Sequence, residues 1–156
     1  MRPEKMKEAK IKAGNYCAYQ ERTQQEVRDK LYDLGLHRDE VEEVLTELIT
    51  EKFVNEERYA RSFTSGKFRL KHWGKNKIIY ALRQKGISSN CIELAMKEIP
   101  DDEYEKVITL LFNKKAKQLS GDKYIVNHKI ARYLIGKGFE PEMVWSLINS
   151  RLTSGG

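Results

Sequence analysis

The chain has 156 residues, of which 40% are hydrophobic and 33% charged, and carries a net charge of +6. That length suits one domain or several small stacked units, and no apolar run nears the roughly 20 residues of a membrane span. The N-terminus, MRPEKMKEAKIK, is basic but has no apolar segment of the kind a signal peptide needs. Cys17 and Cys91 lie far apart, each within a helical pattern, and read as small core residues of a reducing compartment, so a cytoplasmic protein is expected.

In chain order, the first helix is expected from about Lys5 to Arg22, with Ile11, Cys17 and Ala18 facing inward. Helices 24–34 and 39–51 follow, the first of them opened by Thr23-Gln24-Gln25-Glu26, a capping-box pattern. Phe53-Val54-Asn55-Glu56 makes a link in which Asn55 is a good N-cap. The next helix runs from Glu56 to about Leu70 and places Tyr59, Ala60, Phe63 and Leu70 on one side. Gly74 to Ile99 then forms two short helices broken at Gly86, and Pro100 stops the second. Asp101-Asp102 start a helix to about Leu119, with Val107, Ile108, Leu111 and Leu119 inward, and Gly121 breaks it. A last pair spans about Lys123 to Leu152, leaving Thr153 to Gly156 as a frayed tail.

The glycine-linked pair occurs three times. Gly35, Gly86 and Gly138 are spaced by 51 and then 52 residues. Eight positions before each stands Val27, Ile78 or Ile130, and four before stands Leu31, Leu82 or Leu134. The next residue is Leu36, Ile87 or Phe139; further on come Val41, Ile92 or Val144, and Leu45, Met96 or Ile148. Apolar columns at this period mark a repeat protein whose units cannot bury their faces alone. The glycine suits a left-handed helix end, Ser88 can cap the following helix, and Pro141 fits a first helical position. With no strand-like alternation anywhere, the fold is expected to be all-α: an elongated, curved stack of three tandem three-helix repeats, residues 1–52, 53–100 and 101–154.

Charge is segregated along the chain. Arg58 to Lys85 holds nine Lys or Arg and no acid, and Lys114 to Lys137 holds seven against the single Asp122. Acidic blocks alternate with them, Asp39 to Glu57 before the first and Glu98 to Glu105 between the two. Such separation points to an anionic partner. Nothing points to catalysis: His37, His72 and His128 share no metal-ligand spacing with each other or the cysteines, and none of the Gly-Lys pairs lies in a phosphate loop. No enzyme, metal or cofactor is expected. On helix 75–85, turning Ile78 and Leu82 inward sends Asn76, Lys77, Tyr80, Arg83 and Gln84 outward. Lys129 repeats Lys77 in the third unit and Arg132 stands where Tyr80 was, whereas the first unit has Glu26 and Asp29 there. The helix before adds Arg58, Arg61, Lys67, Arg69 and Lys71, with Trp73 at its end as a core residue. Helices after the turn carry too much acid, or too little base, to read a major groove.

The run FVNEERYARSFTSGKFRLKHWGKNKIIYALRQKGI, Phe53 to Ile87, closely resembles the central motif of the RecX family of recombination regulators. The resemblance rests on the link before Glu56-Glu57-Arg58-Tyr59-Ala60, the Trp73-Gly74 pair, Ile78, Leu82 and Lys85-Gly86-Ile87; Asn55 stands where the family usually has an acid. It implies a non-enzymatic modulator of the RecA recombinase in DNA repair, recombination and the SOS response. Such a protein binds the RecA filament on single-stranded DNA, lies in its groove and curbs ATP hydrolysis, strand exchange and growth. The expected contact surface is Arg61, Lys67, Arg69, Lys71, Lys75, Lys77, Tyr80 and Arg83, with Lys129 and Arg132, on a monomer that needs no cofactor. The alternatives are a general nucleic-acid-binding module that grips phosphates, and an adaptor working through the acidic helix 39–51.

Overall fold

In the computed structural model, residues 2–154 are described, with side chains through 151. Among them are nine helices and no strand: α1 (Glu4–Tyr19), α2 (Gln24–Asp33), α3 (Arg38–Thr50), α4 (Glu56–Lys71), α5 (Lys75–Gln84), α6 (Ser89–Met96), α7 (Asp101–Lys117), α8 (Lys123–Gly136) and α9 (Pro141–Ser154). They form three successive three-helix units. The accessible surface of 9818 Å² exceeds the about 8,100 Å² of a compact protein of this mass, as an extended stack requires.

The repeated columns are the cores of these units. Val27, Leu31, Ile78, Leu82, Ile130 and Leu134 are all buried, as are Leu36, Ile87 and Phe139 after the glycines. Gly35, Gly86 and Gly138 take φ of +91°, +78° and +106°, the left-handed geometry that closes a helix and that a side chain disfavours. Local capping agrees with the sequence. Thr23 and Glu26 form a reciprocal capping box, Asn55 accepts from the Arg58 amide at 2.8 Å, and Ser88 accepts from Cys91 at 3.3 Å.

The apolar residues assemble into two cores. One belongs to α1–α3 and takes in Val54 from the link. The other is continuous through α4–α9, so the second and third units behave as one packed body. Arg58 ties the first unit to it: its Nε lies 2.6 Å from Glu21 Oε1, and its Nη2 donates to Lys52 O at 3.0 Å.

Several inward assignments are corrected. Ile11 and Ala18 are exposed, because α1 turns Met6, Ala9, Ala13 and Cys17 to the core and stops at Tyr19. Leu70, expected inward, is 83% exposed, and Phe68 and Thr64 take its place. Phe68 and Thr64 lie one turn apart, while Leu70 falls two residues past Phe68 on the opposite side. Phe63, Met96, Val107 and Leu119 are half-buried. The last helix continues to Ser154, past the expected Leu152, and the tail residues beyond it lie outside the described residues.

Candidate functional site

The second and third units meet at backbone distance around Gly74 and Gly138. A Cβ on Gly74 would stand 2.2 Å from the Gly138 carbonyl carbon, and one on Gly138 would stand 2.4 Å from Lys77 Cβ. This approach lets the third unit satisfy the free amides that begin α5. Gly74 N–H donates to Lys137 O at 2.8 Å and Asn76 N–H to Gly138 O at 2.9 Å. Between them, Lys75 N–H donates to the Tyr104 hydroxyl at 2.8 Å, which itself donates to the Glu140 carboxylate. Burial, and then the bond to Glu140, raise the Tyr104 pKa far above its usual value.

That junction positions a group of cations. α4 ends on His72 with φ +56°, and the Trp73 amide closes onto Lys67 O at 3.1 Å, folding the indole back along its own helix. Trp73 is half-buried and packs against the larger core, so it is a core residue on one side only. Its ring lies 4.8 Å from Lys67 Nζ and 4.4 Å from Lys77 Nζ. It meets Phe63 edge-on at 6.4 Å, and Lys85 Nζ lies 5.8 Å from the Phe63 ring. Lys75 Nζ sits 4.7 Å over Tyr104. Lys137 Nζ donates to Lys71 O at 2.8 Å; burial first, then the charges of Lys77 and Lys71, lower its pKa.

Among the described residues no ion pair engages Lys67, Lys71, Lys75, Lys77, Lys85 or Lys137. Glu140 sits at the same junction on the Tyr104 hydroxyl, but with no carboxylate at ion-pair distance from these lysines the corner stays positive and attracts anions. The sequence-predicted residues divide accordingly. Lys67, Lys71, Lys75 and Lys77 are brought together here; Lys77, expected outward, is half-buried because its stem covers Gly138. Tyr80 is 65% exposed and Arg83 is exposed, one and two turns along α5. Lys129 and Arg132 lie on the exposed face of α8, which leads into Lys137. Arg61 and Arg69 are not free: Arg61 pairs with Glu57 at 2.7 Å and Glu98 at 3.2 Å, and Arg69 with Glu103 at 2.7 Å. Sequence reasoning missed Lys137 and Lys85 as site residues, although both occupy the position before a repeated glycine.

The acidic helix α3 is largely answered within its own unit. Arg28 holds Glu42 at 2.7 Å, Arg2 holds Glu47 at 2.7 Å, and Lys10 holds Glu51 at 3.0 Å. The hydrogen bonds from Arg28 and Arg2 lower the Glu42 and Glu47 pKa values. These pairs reduce the acidic face of α3 without cancelling it, since Asp39, Glu42 and Glu43 remain exposed. No described helix is long and apolar enough to cross a membrane, and no cluster of described residues could hold a metal ion.

Fold and site together define a tandem three-helix-repeat protein with a cationic corner wedged between its second and third units. Residues 9–48, 55–96 and 101–148 match the first, second and third three-helix domains of RecX. The chain belongs to the RecX family. It is 33% identical over 138 residues to the regulatory protein RecX of Clostridium tetani, covering 86% of this chain but 63% of that one. With the regulatory protein RecX of Prosthecochloris aestuarii it shares 29% over 143 residues, 92% of this chain and 93% of the other. The crystal structure of RecX from Lactobacillus salivarius superposes with a TM-score of 0.86 at 29% identity, covering 94% of this chain and 96% of that one.

Proposed function

We propose that this chain is a non-enzymatic regulator of the RecA recombinase that binds the filament RecA forms on single-stranded DNA and limits its ATP hydrolysis, strand exchange and growth. The likeness to regulatory RecX proteins supports the class of role. One observation carries the contact: a corner of lysines that form no ion pair among the described residues, set by the Gly74–Gly138 junction. Its working residues are Lys67, Lys71, Lys75, Lys77 and Lys137, extended by Tyr80 and Arg83 along α5 and by Lys129 and Arg132 along α8. Arg61 and Arg69 orient their own unit. The protein acts as a monomer in the cytoplasm and requires no cofactor.

Reversing Lys77, Arg83 and Arg132 together to Glu tests this reading. Inhibition of filament ATP hydrolysis is expected to vanish while helicity by circular dichroism stays unchanged; undiminished inhibition refutes it. The same cations favour a second reading, a general nucleic-acid module gripping phosphates. Affinity for naked DNA then falls steeply and linearly with log salt, whereas inhibition carried by protein contacts persists at moderate salt.

A further inference from the structure

The outward face of α8 carries a group of side chains that the lysine corner does not use. The Tyr124 ring lies against His128 with centroids 4.2 Å apart and planes tilted by 38°. His128 meets Trp145 of α9 edge-on at 4.9 Å. The ladder is held in place from its helix. Asp122 caps α8 by accepting from the Tyr124 amide at 2.9 Å, and His128 Nδ1 lies 2.9 Å from Tyr124 O. Yet its outer end is open: Tyr124 is 69% exposed, and His128 is exposed beside it.

Charge and shape continue from this end. At about 3.6 residues per turn, Tyr124, His128 and Arg132 follow one stripe, and Ile125 and Lys129 flank it. α8 contains no acidic residue. Neither Lys129 nor Arg132 forms an ion pair among the described residues. Ile125, 52% exposed, adds apolar area to the same strip. An acidic peptide would answer the cations but leave the ring face in water. Duplex DNA would answer them too, but its base faces are stacked on one another. An unpaired nucleotide answers both, because every free base has a π-face and every linkage a phosphate.

We propose that Tyr124, backed by His128 and Trp145, is a stacking platform for an unpaired nucleobase, with Lys129 and Arg132 holding the adjacent phosphodiesters. The site gives the third unit a preference for single strands that phosphate contacts alone do not provide. It shares Lys129 and Arg132 with the proposed filament contact, and Tyr124, which that contact does not use, is the residue that separates the two readings.

The test titrates the full chain into a fluorescent oligothymidylate of about 16 nucleotides and into an abasic phosphodiester strand of equal length, read by anisotropy. The base-bearing strand is expected to bind about tenfold more tightly. Tyr124→Ala and Tyr124→Leu should each remove that difference without changing affinity for the abasic strand, and Tyr124→Phe should restore it. Lys129→Gln with Arg132→Gln should weaken both strands alike and flatten the salt dependence. Equal affinity of the unaltered protein for the two strands, binding to neither, or a Tyr124 effect equal on both overturns the platform. Inhibition of a recombinase filament, measured on the same Tyr124 variants, shows separately whether the filament reading survives.

Discussion

Gly74→Ala is a sharp test of the junction that sets the lysine corner. Gly74 has φ −76°, a conformation open to any residue, so the substitution carries no backbone strain. Its cost is steric: the new methyl would lie 2.2 Å from Gly138 C, 2.3 Å from Phe139 N and 2.5 Å from Gly138 O. All three are backbone atoms that no rotamer can move. Relief requires α5 and the 137–139 turn to separate by about 1 Å, which strains or breaks the bonds from Gly74 and Asn76 to Lys137 and Gly138. Overpacking costs roughly 1–3 kcal/mol and two hydrogen bonds about 1 kcal/mol each, giving about 3–5 kcal/mol together. At this chain length that is a fall of roughly 6–20 °C in Tm, measurable by differential scanning calorimetry. Gly86→Ala is the counterpart. Its φ is +78° but nothing lies within reach of a Cβ, so only the left-handed penalty of about 1–2 kcal/mol applies. A Gly74→Ala protein no less stable than the Gly86→Ala protein would refute the close approach and the rigid corner with it.

Further outcomes follow from the same geometry. Tyr104→Phe leaves the Lys75 amide and Glu140 without their shared partner and should cost about 1–3 kcal/mol in urea unfolding; a change below 0.5 kcal/mol would be inconsistent with the hydrogen bonding at the head of α5. Phe68→Ala should cost about 3–5 kcal/mol and Leu70→Ala almost nothing, since Phe68 is buried and Leu70 is not; equal losses in thermal melts would contradict the facing of α4. Glu42 and Glu47 have lowered pKa values in the folded state. Their stabilisation is therefore present above the ordinary carboxylate value of 4.5 and is lost as pH falls through it toward the folded values. Amide protection in α1–α3 should decline in that acid range ahead of α4–α9, and a simultaneous decline by hydrogen exchange would argue against it. At the other extreme, burial holds the Tyr59 pKa up to about 12. Stability from keeping Tyr59 neutral is full below pH 10 and falls as pH rises from there toward 12, so Tyr59→Phe should flatten the alkaline side of a pH–stability profile.

Much of this molecule is written in its primary order. The column residues Val27, Leu31, Ile78, Leu82, Ile130 and Leu134 are buried where period and spacing put them, because each lies on a helix short enough to have one inward stripe. The left-handed glycines, the Thr23 capping box and the Asn55 cap are local chemistry, set by residues within a few positions of one another. Leading helices were less legible. Ile11 and Leu70 are apolar but face water, since which stripe of α1 or α4 turns inward depends on the helices that pack against it.

The site shows the same division. Segregated charge announced a basic surface, but not which cations would be spent on the protein's own acids. Arg61 and Arg69 are neutralised by Glu98 and Glu103, distant in sequence and adjacent in space. Lys137 reaches Lys71, 66 positions away, and Trp145 completes a ladder begun on another helix. Periodicity is a property of neighbours along the chain, and so the sequence by itself determined the repeats, their caps and their cores. Pairing, close backbone approach and ring contact act through space without regard to chain order, and only the tertiary structure decided which charges remain free to meet a partner.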